Sequence, residues 1–151
     1  LHSTSRRQRQ MCIETVNAPL VCDDTLQTND IARIYPDGSF TILGRKDNVI
    51  NSGGIKVQAE EIERLLQSSI PVPFVITSVP DRRLGQAVTL LIEGQMEISA
   101  LGTKLESVLA SYYRPKYIYT VNHIPQTGNG KINRKECRVL AESLQLLGRQ
   151  E

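Results

Sequence analysis

From Asn48 onward the apolar residues alternate between a strand-like and a helix-like spacing, and the changes fall at glycine or proline. Two short runs, Asn48–Asn51 and Ile55–Val57, flank Ser52-Gly53-Gly54, whose glycines suit a tight hairpin. Gln58–Ser69 then sets Ala59, Ile62, Leu65 and Leu66 at helical spacing, with Glu60, Glu61, Glu63 and Arg64 toward water. Pro71 and Pro73 stop that helix. Phe74–Val79 and Ala87–Ile92, rich in Val, Ile and Thr, read as strands, and Tyr117–Val121 as another. Between them Ile98, Leu101, Leu105, Val108 and Leu109 form a second amphipathic helix. Asn133-x-x-Glu136 is a capping box opening a last helix through Leu140, Ala141, Leu144 and Leu147. The order β-β-α-β-β-α-β-α predicts a small α+β domain with helices covering a sheet.

The preceding section reads differently. Met11–Val16 and Asp30–Tyr35 are strand-like, Pro36-Asp37-Gly38 supplies a turn, and Ser39–Leu43 returns with Phe40 and Ile42 on one side. To about residue 44 this is a β-meander. The charged triplet Arg45-Lys46-Asp47 falls at the change of pattern, where a linker is expected. Leu1–Gln10, with Arg6, Arg7 and Arg9, has no apolar period and reads as a solvated end.

A length of 151 residues fits one domain, or one small domain with a piece of another. The first residue is Leu1, and the chain is expected to be part of a longer protein. With 18 basic against 16 acidic residues, the charge is too even to indicate a nucleic-acid or membrane surface. The longest apolar runs, such as Val88–Ile92, are far too short to span a bilayer, and no secretory signal is visible. Cys12, Cys22 and Cys137 form no C-x-x-C pair and suit free thiols, Cys137 as a core residue. His2 and His123 have no ligand-like neighbours, so no metal site is expected.

Chemistry concentrates in a few places. In "PQTGNGKINR" (Pro125–Arg134), Gly128 and Gly130 precede Lys131, a mobile cation suited to an anion; on spacing alone, a plain turn with an exposed lysine is the better reading. It is not a P-loop, since Pro125 stands for the first glycine and Ile132 for Ser/Thr. "TNDI" puts Asp30 at a strand start. "PDRRLG" (Pro80–Gly85) reads as a surface turn with Arg82 and Arg83 solvated and no chemistry assigned.

Together and in order, "TNDIARIYPDGSFTILGRKDNVINSGGIKVQAEEIERLL" (Thr28–Leu66), "VPDRRLGQAV" (Val79–Val88) and "RPKYIYTVNHIPQTGNGKINR" (Arg114–Arg134) resemble the acyl-adenylate-forming enzymes over about residues 28–140. The family includes acyl-CoA synthetases, luciferases and peptide-synthetase adenylation domains. The resemblance implies that residues 1–46 are a remnant of the last β-subdomain of a large N-terminal domain. Residues 47–151 would be the C-terminal lid, a small mixed sheet with flanking helices and an N-terminal hairpin, hinged at about 45–47. By the same resemblance Asp30 binds the ribose hydroxyls of ATP, Arg45 contacts ribose or phosphate, and Asp47 is the hinge residue. Lys131 enters the active site during adenylation, and Gly53-Gly54 lines the pantetheine channel when the thiol of CoA attacks. ATP and CoA are then substrates, and magnesium is bound mainly by the large domain. Asn29 and Asn51 depart from the commonest family residues.

Among family members the stretches look most like 2-succinylbenzoate–CoA ligases, which implies menaquinone biosynthesis and a cytoplasmic setting. The partners implied are the large N-terminal domain, ATP, a carboxylic acid and CoA, with no nucleic acid and no membrane. Another acyl-CoA synthetase, or an adenylation domain that loads a carrier protein, is the alternative. A non-catalytic interaction or nucleic-acid-binding module, suggested by Arg6, Arg7 and Arg9, is the alternative of another class.

Overall fold

The computed structural model describes residues 10–13, 16–17, 25–26 and 28–148, and side chains for 28–97 and 101–148. Arg6, Arg7, Arg9, His2 and Cys22 lie outside the described residues, as do the side chains of Cys12 and Ile98. The chain divides into two units, one ending at Asn48 and the other beginning at Val49.

In the first unit, β1 (Gln10–Ile13), β4 (Asp30–Ile34) and β5 (Phe40–Arg45) form a three-stranded antiparallel sheet in the order β1-β4-β5. The short strands β2 (Val16–Asn17) and β3 (Thr25–Leu26) pair separately. The turn after β4 is closed by Asp37, whose carboxylate accepts from the backbone N–H and hydroxyl of Ser39 at 3.0 and 2.7 Å. A single 3₁₀ turn, Lys46–Asn48, occupies the place where a linker was expected.

The second unit is built on β9 (Gly85–Glu93). One edge of β9 pairs antiparallel with β8 (Phe74–Asp81) along its whole length. The other edge takes β10 (Tyr117–Val121), in parallel over Thr89–Glu93, and meets β6 (Val49–Ser52) at Gly85. Strand β7 (Ile55–Gln58) completes the hairpin with β6. The sheet is therefore mixed, and the unit is α+β, as the sequence predicts.

Both faces of this sheet are covered. Ile76, Val88, Leu90 and Ile92 pack with α1 (Ala59–Leu66) and α2 (Ile98–Val108) through Ile62, Leu66, Leu101 and Leu105. Val75, Val79, Ala87 and Leu91 pack with α3 (Arg134–Leu147) through Cys137 and Ala141. Two buried faces explain why β8 and β9 show a run of apolar residues rather than alternation. Cys137 is fully buried, as expected of a core residue, and burial pushes its thiol pKa up.

The helices are shorter or turned differently from their sequence reading. Leu65 is exposed, whereas Glu63, read as solvent-facing, is drawn inward. At about 100° per residue, Glu63 lies nearer the centre of the Ala59–Ile62–Leu66 stripe than Leu65 does. Val108 and Leu147 are likewise exposed. On α3, Gln145 donates to the Pro80 carbonyl, one residue from the end of β8, so the helix beyond it has no strand beneath. Only half of the capping box forms: Asn133 accepts from the Glu136 N–H at 3.4 Å, while its own N–H goes to Pro125 at 2.9 Å. No helix among the described residues is long and apolar enough to cross a membrane.

Candidate functional site

In the first unit, β4 and β5 place Asp30 directly opposite Arg45. Next along the ladder Ile31 pairs with Gly44 and Ala32 with Ile42, leaving Leu43 as a bulge that bends this end of the sheet. The Lys46 N–H returns to the Asn29 carbonyl at 2.8 Å, and the Arg45 guanidinium reaches the Asp47 carboxylate at 3.4 Å. Those two side chains are 56% and 63% exposed, so their pairing adds little stability and leaves Asp47 in water. Asp30, Arg45 and Asp47 thus come from the strand ends and the 3₁₀ turn that follows.

In the second unit, Gly53 and Gly54 form the two-residue turn between β6 and β7, with φ of +60° and +84°. Positive φ at both central positions is the hairpin geometry glycine adopts without strain. Ser52, read as part of the turn, belongs to β6 and pairs with Ile55. The turn rests on the "PDRRLG" segment and the residue after it: the Gly53 N–H donates to the Leu84 carbonyl at 2.9 Å, and the Asn51 N–H to Gln86 Oε1 at 2.8 Å.

Asp81 shapes that support. Its side chain is 5% exposed, and its carboxylate accepts from the N–H groups of Arg83 and Leu84 at 2.9 and 3.0 Å, from Lys116 at 2.5 Å and from the Tyr117 hydroxyl at 3.3 Å. The Lys116 ammonium, followed by the two backbone N–H groups, holds its carboxyl well below the usual aspartate range. A cleft of about 350 Å³ opens beside the hairpin, lined by Ser52, Gly53, Leu84, Tyr112, Arg114 and Lys116. Arg114 also donates to the Leu109 and Glu106 carbonyls at the end of α2.

Lys131 projects from a second, separate hairpin. Gln126 and Ile132 form an isolated bridge, and the Thr127 N–H donates to the Lys131 carbonyl at 2.7 Å. At the tip the Gly130 N–H turns back to Thr127 at 2.8 Å, leaving Lys131 exposed. The root is fixed where the Ile124 N–H meets Glu93 Oε2 at 2.8 Å, at the last residue of β9. His123 Nδ1 lies 3.1 Å from the same carboxylate oxygen. The glycine hairpin is held at Gly85 and the lysine hairpin at Glu93, so their anchors lie at opposite ends of one strand. At about 3.3 Å per residue, those ends are roughly 26 Å apart.

Sequence reasoning found the glycine hairpin, read the lysine hairpin only as a glycine-flanked turn, and missed the supports of both. Asp81 ahead of a glycine-terminated turn was the available signal for one. No local signal marked the pairing of Glu63 with Arg134, whose guanidinium makes parallel bonds to both carboxylate oxygens at 3.0 and 2.8 Å.

A mixed sheet covered on both faces, with a glycine turn tied to one end of its central strand and a lysine hairpin tied to the other, defines a small α+β domain presenting two loops. No family model matches the chain. It is 38% identical over 126 residues to triostin synthetase I of Streptomyces triostinicus, covering 80% of this chain and 24% of that protein. It is 33% identical over 113 residues to 2-succinylbenzoate–CoA ligase of Lactococcus lactis subsp. lactis, covering 74% and 25%. Among solved structures, an acyl-CoA synthetase (AMP-forming)/AMP-acid ligase II-like protein from Dyadobacter fermentans matches with a TM-score of 0.58 at 33% identity, over 76% of this chain and 35% of that one. The chain belongs to the acyl-adenylate-forming superfamily, whose C-terminal domain it carries. It spans about a quarter of the length of these curated relatives.

Proposed function

We propose that the chain is the lid end of an ATP-dependent, AMP-forming acid–thiol ligase, working with a large N-terminal domain that binds ATP and the acid. Residues 1–46 belong to that large domain and 47–151 to the lid, with Asp47 as the hinge. In the first half-reaction a carboxylate oxygen attacks the α-phosphorus of ATP and the bond to pyrophosphate breaks. Both reactants are anions, and the Lys131 ammonium offsets their repulsion and stabilises charge spreading over the phosphoryl oxygens. Asp30 accepts from the ribose hydroxyls, and Arg45, its cross-strand neighbour, contacts ribose or phosphate.

In the second half-reaction the thiol sulfur attacks the acyl carbon, the thiol proton departs and AMP leaves. The Gly53-Gly54 turn then borders the pantetheine arm, where a side chain would obstruct it. The observation that carries this reading is the anchoring of the two hairpins at opposite ends of β9. Loops rooted so far apart on one sheet suit use in turn rather than together. Arg114, on the rim of the cleft beside the glycine turn, supports CoA, with its nucleotide phosphates, as the acceptor.

For the acid, we take 2-succinylbenzoate, which places the enzyme in menaquinone biosynthesis in the cytoplasm; one relative carries that name. A second reading is an adenylation domain that loads a carrier-protein thiol; one relative, at 38% identity, is named as a synthetase rather than as a CoA ligase. Among the described residues no group of three or more His, Cys, Asp or Glu side chains is placed to hold a metal ion. Magnesium accompanying ATP is assigned mainly to the large domain, as the family resemblance implies, and no step here is routed through it.

The test is Lys131→Ala in the full-length protein, with each half-reaction followed separately. Acid-dependent pyrophosphate release is expected to fall by about 100-fold or more, a loss of about 3 kcal/mol of transition-state stabilisation. Thioester formation from supplied acyl-adenylate is expected to persist. Equal loss of both would make Lys131 structural. The 151-residue chain alone is expected to release no pyrophosphate above background.

A further inference from the structure

Three residues after Lys131 the chain enters α3 at Arg134, whose guanidinium is turned into the domain, away from the hairpin tip. Its Nη1 donates to Glu63 Oε1 at 3.0 Å and its Nη2 to Glu63 Oε2 at 2.8 Å. Nη1 also reaches the Ile76 carbonyl at 3.3 Å, and the Ile76 N–H donates to Glu63 Oε1 at 2.9 Å. The two side chains are 26% and 18% exposed. One ion pair therefore joins α1, β8 and the start of α3, and its planar fork fixes orientation as well as distance.

The segment between this clamp and Lys131 is short and stiff. The Asn133 N–H is held by Pro125, Ile132 is bridged to Gln126, and the Lys131 carbonyl is held by Thr127. A rotation at Arg134 is therefore passed along the hairpin to Lys131 rather than absorbed on the way.

We propose that Arg134, clamped by Glu63, is a positioning residue that aims Lys131 at the adenylation centre; this rests on Lys131 being the cation of that half-reaction. Neither Arg134 nor Glu63 touches the reactants. Their effect is exerted through the direction in which the lysine hairpin leaves the domain, and a misplacement of about 1 Å is enough to slow a reaction by about 100-fold.

The test uses full-length protein carrying Arg134→Met, Arg134→Lys or Glu63→Gln, with and without Lys131→Ala. Arg134→Met and Glu63→Gln are expected to lower the adenylation kcat by about 10- to 100-fold. Thioester formation from supplied acyl-adenylate stays within about twofold, which also shows that the domain is folded. Arg134→Lys, which keeps the charge but loses the fork, recovers part of the rate. In the Lys131→Ala background, Arg134→Met is expected to slow adenylation no further, because the two residues act as a unit. Decrements that multiply in the double variant, or equal slowing of both half-reactions, would overturn the assignment. So would loss of the thioester step in both Arg134→Met and Glu63→Gln. Lys131→Ala alone reports separately: normal adenylation there removes the role of Lys131, whatever the clamp variants do.

Discussion

Leu84 stands against Gly53: the Gly53 N–H donates to the Leu84 carbonyl at 2.9 Å, and Leu84 Cδ2 lies 3.1 Å from where a Cβ on Gly53 would be. Gly54, one residue on, has nothing within 4 Å of that position. Both are left-handed, so alanine at either is expected to cost about 1–2 kcal/mol of backbone strain. Gly53→Ala must in addition displace the Leu84 methyl, and is expected to be the more destabilising. Urea unfolding of the chain with each substitution measures the difference; coincident midpoints would show that Leu84 yields freely.

Asp81 makes a pH-dependent contribution whose sign follows from its depressed pKa. A carboxyl that ionises more readily folded than unfolded stabilises the fold above its unfolded pKa and loses that effect as the pH falls. The ordinary aspartate value is 3.8, and the folded value lies well below it. The stability gap between the natural chain and Asp81→Asn is thus expected to be constant at neutral pH and to shrink as the pH drops below that ordinary value. Thermal melts at a series of acidic pH values test this, and a gap that widens toward low pH would contradict it.

Arg114 bears on which thiol is used. If the cleft beside the glycine turn receives the phosphates of CoA, Arg114→Met should raise KM for CoA by about tenfold, the loss of one charge-assisted bond. KM for pantetheine, which lacks the nucleotide, should stay unchanged in the same assay. An equal rise for both thiols would mean that the substitution has only loosened the end of α2, whose carbonyls Arg114 holds.

Ile62 is fully buried between α1 and the sheet. Ile62→Ala is expected to destabilise the domain by about 2–5 kcal/mol through lost burial and a residual cavity. Leu65→Ala, on the exposed side of the same helix, should cost far less. Denaturant midpoints of the two variants decide this.

Local signals carried most of the architecture. Gly53-Gly54, the two prolines after α1 and the strand composition of β8 and β9 each act over a few residues, so they were legible in the sequence. What escaped was set by contacts between distant residues. Glu63 looked solvent-facing because its helix carries acids on both sides of the apolar stripe; the cation that draws it inward is 71 residues away. Asp81 looked like a turn residue, which it is, but the Lys116 and Tyr117 groups that surround it come from the entry to β10. Leu147 continues the spacing of Leu140 and Leu144, but it lies to one side of the buried Cys137–Ala141–Gln145 stripe and past the end of β8, which leaves it exposed.

Strand β9 behaves as a beam loaded at both ends, with β8 along one side and helices above and below it. Whatever brings one hairpin forward must carry the other along, because the beam offers no joint between them. Reorientation of this domain would therefore leave its interior unaltered. Amide exchange along β8 and β9 should be as slow with one hairpin engaged as with the other.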